Sequence, residues 1–377
     1  MITVKEVTTK KERKAFFRFP LDLYKGNKYV VPTMIADEED EFNPEVNDAY
    51  RYSETKLFLA YNEQGKVVGR VAGLYHKAYN EKQNLKQLRF TRYDVIDDFE
   101  VTKALFAELK KWAQELGMNE LVGPIGFSDL DKQGMLIEGF DRVGMYITIY
   151  NFPYYREHME KIGMQKAVDW VEYRIKVPEK MDERLVRLSK KIQERYGYTY
   201  VPIVDYKSSM PYIKEALGYI MNEVFAHLYG YVAVSEKQIM REAKMLKDVW
   251  NNDYVIAVQN KEGELVGYGF MAPSVSRAMQ AFNGKLNLKG IFTMIKDQKH
   301  AETLDLYNMG VKKEYQNKGV NVLVMARGLE MAIKNGVKYL ETGPELETNC
   351  QIQAQWKDFE KEQHKRRRCW TIPVENL

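Results

Sequence analysis

A chain of 377 residues is longer than one hydrophobic core usually grows, so two domains are expected. Its 45% hydrophobic and 12% aromatic content excludes a disordered or fibrous protein, and its interspersed charges, netting only +4, exclude the segregated basic surface that a nucleic-acid partner needs. With Cys350 and Cys369 as the only cysteines there is no disulfide framework, reduced thiols are the simplest reading, and no metal site follows.

The N-terminus, Met1-Ile2-Thr3-Val4-Lys5-Glu6, carries no apolar stretch, and no run long enough to span a bilayer occurs anywhere. A cytoplasmic location without a membrane partner is expected. Further along, Leu57–Gly69 reads as two strands joined by a polar turn, and the same pattern returns at Tyr254–Gly267. Each hairpin is followed by an amphipathic helix, a stopping glycine and a strand: Ala104–Ala113, Gly117 and Leu121 in the first case, Leu323–Ala332, Gly336 and Leu340 in the second. The repeat predicts an α/β chain of two tandem modules, 1–178 and 179–377, each a mixed, mostly antiparallel sheet flanked by helices. Between them Asp182 should cap a helix through Leu185, Leu188 and Ile192, with a strand at Tyr198–Val201. The basic run Lys365-Arg366-Arg367-Arg368 reads as the start of the last strand, with its charges on a solvated face.

In the second module a strand at Asp305–Val311 runs through Lys312–Tyr315 into Gln316-Asn317-Lys318-Gly319-Val320-Asn321 and then a helix. A glycine turn at a helix start gathers unpaired N–H groups into one concavity, and the helix dipole adds positive potential, so a pyrophosphate suits it. At the corresponding place the first module has Asp94, Asp97, Asp98 and Glu100 and no glycine, which caps a helix but repels phosphate. Only the second module is expected to hold such a ligand.

The order of strand, Gln-x-x-Gly turn, helix and strand resembles the GNAT superfamily of acetyl-CoA-dependent N-acyltransferases over about 254–372, and residues 57–176 look like a worn second copy. Gly123-Pro124-Ile125-Gly126-Phe127-Ser128 and Glu138-Gly139-Phe140-Asp141 are similar to motifs of a bacterial group of such proteins. The resemblance implies acetyl-CoA or another acyl-CoA as co-substrate. Its pantetheine arm would lie against Met309 and Val311, and its pyrophosphate on the amides of Gln316, Asn317, Lys318, Gly319, Val320 and Asn321; the family usually has Gly or Ala at the last position.

A small-molecule amine is the implied acceptor. Asp305 stands where many members carry the catalytic base, and Tyr307 is a second candidate on the same strand face. The usual proton-donating Tyr, counted from Asn349, falls on Trp356, whose indole N–H is not acidic enough. Glu345 and Glu347 lie where they could meet the substrate amine, as base or as cation recognition; an ordinary surface role is the alternative. The scattered histidines show no metal-ligand spacing. Two other readings stand beside the enzyme: a catalytically silent scaffold with the same fold, and a Fem-type aminoacyl transferase.

Overall fold

The structure, a computed structural model, describes residues 1–128 and 130–377. Strands β1 (Thr3–Glu6), β2 (Ser53–Tyr61), β3 (Val67–His76) and β4 (Gln87–Val95) pair antiparallel in that order, and β5 (Glu120–Gly123) lies parallel beside β4. The β2–β3 turn closes because the Asn62 side chain accepts the N–H groups of Gln64 and Lys66, at 3.1 and 2.9 Å. Asp98 caps the Phe99–Glu115 helix by accepting from Glu100 N–H at 2.9 Å, and Val101, Leu105, Leu109 and Trp112 bury one face of it against the sheet. Burying such side chains stabilises by about 1.5–3 kcal/mol each. Two further strands, β6 (Met135–Glu138) and β7 (Gln165–Lys176), complete this half of the sequence.

The second half repeats the plan. A short β8 (Thr199–Tyr200), β9 (Val255–Gln259), β10 (Leu265–Pro273) and β11 (Thr303–Val311) run antiparallel, and β12 (Tyr339–Thr342) lies parallel to β11 after the Val320–Lys334 helix. The likeness extends to single contacts. Gly69 and Gly267 both lie under the first turn of their helix; a Cβ would stand 2.7 Å from a Val101 methyl in one and 2.5 Å from a Val320 methyl in the other. Between the halves Asp182 caps the Glu183–Tyr196 helix, with its side chain 2.6 Å from Arg184 N–H, and Ile192 is buried. Leu188, expected on the same face, is 47% exposed.

The halves are not two sheets but one. The short β13 (Glu345–Leu346) pairs with β7, and the last strand, β14 (Lys361–Pro373), inserts between β5 and β7, while β7 pairs on its far edge with β12. The final strand of each half thus lies beside the other half's strands. This corrects the reading of the basic run. Lys365 and Arg367 are each 1% exposed, because β14 is central and alternate residues of a central strand face packed layers on both sides. Arg367 pairs with Glu172, and Lys365 Nζ donates to the carbonyls of Arg142 and Val143 at 3.0 and 3.1 Å. On the opposite face Arg366 and Arg368 grip Asp169 at 3.1 and 2.8 Å.

Candidate active site

Parallel pairing of β11 and β12 lasts four residues, from Thr303 opposite Tyr339 to Leu306 opposite Thr342. Beyond it β11 continues to Val311, whereas the other chain turns at Gly343-Pro344 and joins β7 at Glu345 and Leu346. A gap opens between the two strands. Across β11 on its other side, the register with β10 shifts so that Tyr307 is left without a partner between Leu306 and Asn308.

At the end of β11 the chain makes a tight turn at Lys313–Tyr315, then places Asn317 at φ 60° and Gly319 at φ 81° before the helix begins at Val320. Among the described residues, the backbone N–H groups of Asn317, Gly319, Val320 and Asn321 have no acceptor. Four free donors at and just before the start of a 15-residue helix are what an anion cradle requires. The amides of Gln316 and Lys318, expected in the same set, instead donate to the carbonyls of Lys313 and Tyr315 at 3.2 and 3.4 Å, and Gln316 Nε2 donates back to the Val311 carbonyl at 3.2 Å, tying the loop to the strand.

The first half has the same parting of strands, β4–β5 pairing ending at Arg89 opposite Val122 while β4 continues to Val95, but there both features are blocked. The Asp98 carboxylate occupies its helix start. Val95 is the counterpart of Val311, and its polar groups are taken by tyrosines: Tyr155 OH accepts from Val95 N–H at 2.8 Å, and Tyr154 OH donates to Val95 C=O at 2.7 Å. The Tyr154–Lys161 helix thus plugs the place where an arm would lie.

A cavity of about 1170 Å³ occupies the gap of the second half and extends to residues of the first. Its wall is mainly apolar, with Met34, Tyr146, Leu217, Phe225, Phe270 and Met294 among many. The charged groups in the wall are one-sided: Asp37, Glu39, Asp131, Glu242, Asp248 and Glu345 against Lys285. Burial pushes Glu242 up to about 7 and raises Asp131.

Glu345 combines the properties of a base. Trp356 Nε1 donates to its Oε1 at 2.8 Å and fixes the carboxyl, while Oε2 has no partner. Burial pushes its pKa up to about 7, with the Trp356 hydrogen bond and then Lys361 opposing. Half of such a group is ionised near neutral pH, where proton acceptance is most effective.

The other sequence candidates divide. Tyr307, Met309, Asn349 and Trp356 line the cavity. Burial, then the neighbouring Asp305, hold Tyr307 as a phenol far above neutrality, so it can donate but not accept a proton. Asn349 also caps the Cys350–Ala354 helix, accepting from Ile352 N–H at 3.3 Å.

Two candidates are corrected. Asp305 is 0% exposed and lies outside the cavity wall, side by side with Glu341; burial first, then Glu341, raise it well above the carboxylate range. Glu347 is also outside the wall and is held by Lys166 and by Arg366 at 3.0 Å. Behind Asp305, Glu172, Glu341 and His364 bring ligand atoms within 4.8 Å of one another. Arg367 pairs with Glu172, and Lys365 and Arg174 act on Glu341, so protein cations already answer that acidic charge.

Sequence reading missed the cavity itself and its carboxylates Asp131 and Glu242. A trace was present in the 18 methionines, several of which line the wall, since Met fills adaptable apolar surfaces.

No family model matches the chain. Two curated relatives align over nearly their whole length: Protein YghO of Escherichia coli (strain K12), 22% identical over 97% of this chain and 94% of that protein, and the bacterial ceramide synthase of Caulobacter vibrioides (strain NA1000 / CB15N), 24% identical over 92% and 91%. Among solved structures, a tandem GNAT protein from the clavulanic acid biosynthesis pathway superposes with a TM-score of 0.55 at 13% identity, covering 99% of both chains. A probable N-acyltransferase from Enterococcus faecalis V583 gives 0.50 at 11% identity, over all of this chain and 73% of that one.

Proposed function

From the tandem GNAT fold that the chain shares with those structures, we propose that it is an acyl-CoA-dependent N-acyltransferase whose acceptor is an amine carrying a long apolar portion. The observation that carries this reading is the cavity of about 1170 Å³, apolar through most of its wall, edged by carboxylates and opening at the β11–β12 gap. Acetyl transfer to a small polar amine needs no such volume. An ammonium group suits the acidic edge, and a hydrocarbon chain suits the rest. The name of the Caulobacter relative supports the same class, ceramide being an N-acylated long-chain amine.

The residues present fit acyl-CoA. The free amides of Asn317, Gly319, Val320 and Asn321 would hold its pyrophosphate, and the gap beside Met309 and Val311 would receive the arm. The bound ammonium first gives up one proton to water, and Glu345 takes a second from the nitrogen as it attacks the thioester carbonyl carbon. The carbon–sulfur bond then breaks, the electron pair leaves with the thiolate, and the proton passes on from Glu345 to solvent or sulfur. Tyr307, held as a phenol, is placed to donate a hydrogen bond in the same cavity.

The test is release of free thiol from acyl-CoA thioesters of two and sixteen carbons, each with a small polar amine and with a long-chain amino alcohol. Thiol release that requires the long-chain amine, and an amide product of matching mass, are expected. If no long-chain amine stimulates release with either thioester, the reading fails. A silent scaffold would bind the thioester without turnover and without responding to Glu345→Gln.

A further inference from the structure

The Leu288–Lys299 helix packs on only one side. Asn287 caps it, accepting from Gly290 N–H at 2.9 Å. Its inner face is Gly290, which fits directly against the Phe282 ring, followed by Met294 and Asp297 at helical spacing; Asp297 pairs with Arg277 at 3.5 Å. The opposite face is apolar and faces out. Leu288 is 73% exposed, Ile291 41%, Phe292 70% and Ile295 50%, and the residue before the cap, Leu286, is 74% exposed.

Positions 288, 291, 292 and 295 form one stripe. A soluble surface scatters its exposed apolar residues singly, whereas a continuous stripe of this kind marks a contact. Exposed lysines border it. Lys289 and Lys296, seven residues apart, run along one flank, Lys285 precedes the helix, and Lys299 closes it.

We propose that this helix docks on the surface of an anionic lipid bilayer, with Leu288, Ile291, Phe292 and Ile295 entering the headgroup boundary and the lysines meeting lipid phosphates. Apolar residues backed by a cationic border are what an interfacial helix requires. Continuity with the cavity identifies the occupant further: Leu286, Ile291 and Ile295 are exposed and at the same time line the cavity wall. A chain leaving the bilayer along this helix therefore reaches the cavity over apolar surface throughout. The contact is a surface one and needs no membrane-spanning segment; among the described residues no helix is long and apolar enough to cross a membrane. The docking stands on the helix alone, and only the delivery of substrate rests on the acyltransferase reading.

The experiment is flotation of the full chain with vesicles of phosphatidylcholine alone and of phosphatidylcholine with phosphatidylglycerol. Two double variants accompany it: Leu288→Glu with Phe292→Glu, and Lys289→Glu with Lys296→Glu. All four positions are exposed and outside the cavity wall, so thermal melts should match the parent. Preferential flotation with the anionic vesicles is expected, weakened by salt, weakened about tenfold or more by the lysine reversals and abolished by the apolar pair. The proposal is overturned if the parent does not float, if both variants float like the parent, or if the parent sediments as a dimer that the apolar variant splits, which would make the face an interface between copies. Flotation reads docking without turnover, so a chain that floats but transfers no acyl group would refute the function and leave the docking intact.

Discussion

Two carboxylates on neighbouring segments, Asp305 and Glu345, differ in their surroundings more than in their chemistry. Sequence counting favours Asp305, but the structure buries it beside Glu341 and outside the cavity. Asp305→Asn removes a charge that burial and Glu341 already disfavour, at a position outside the cavity wall, so kcat/KM is expected to stay within a few-fold of the parent; a loss of a hundredfold would restore it as the base. Glu345→Gln retains an acceptor for the Trp356 indole but cannot take a proton. Its kcat should fall about 100- to 10,000-fold. The parent's rate should rise with pH through about 7, where Glu345 loses its proton, and the variant should lack that limb. Stability moves the other way. Between 4.5 and about 7 the unfolded chain has lost this proton while the folded chain keeps it, so stability declines as pH rises through that window and the deficit is complete above it. Removing the charge with Gln should therefore stabilise the protein at pH 8 by roughly 1–3 kcal/mol, read by denaturant titration, with no gain at pH 4.

At the scale of elements, the turn and helix start after β11 were the legible part. Gln316 to Asn321 announce a turn and a helix start, and the left-handed Asn317 and Gly319 are residues that tolerate such backbone. The plug in the first half was half legible. Asp98 reads as a cap, but Tyr154 and Tyr155 reach Val95 from about 60 residues away, which no local pattern encodes. A charge at Gly319 is a poor probe of the cradle, because any Cβ there would stand 2.5 Å from Ile192 and would strain a backbone at φ 81°. Asn321→Asp separates binding from folding. A carboxylate in the first helical turn favours the dipole, so the thermal midpoint should hold or rise slightly, while its repulsion of pyrophosphate should weaken acyl-CoA binding about tenfold or more. Thermal melting reads the midpoint and calorimetric titration the affinity; unchanged affinity would overturn the placing of the pyrophosphate at this loop.

For the whole molecule the strand exchange matters most. Sequence periodicity could find the hairpins, helices and glycine stops because each is written within a few residues. It could not find that β14 leaves its own half to lie between β5 and β7, since strand pairing depends on edges brought together from the far ends of the chain. The same fact explains why Lys365 and Arg367 were misplaced on a solvated face. A chain cut at 178 would leave the first piece with β5 open on one edge and β7 unpaired on both sides, and the second with β12 open on one edge and β14 unpaired on both sides; open apolar edges aggregate. Residues 1–178 expressed alone should therefore be insoluble or molten, the two pieces expressed together should reassemble, and the intact chain should unfold in urea in one transition. Two separate transitions, or a well-folded 1–178 piece, would show that each half carries its own complete core. The cavity follows from the exchange as well. Its wall draws on Met34, Tyr146 and Trp170 from one half and on Glu345, Trp356 and the 236–299 helices from the other, so the site exists only when both halves share the sheet. Loss of the first half should then abolish binding of the proposed long-chain amine even where the proposed acyl-CoA loop, within residues 311–321, is intact in sequence.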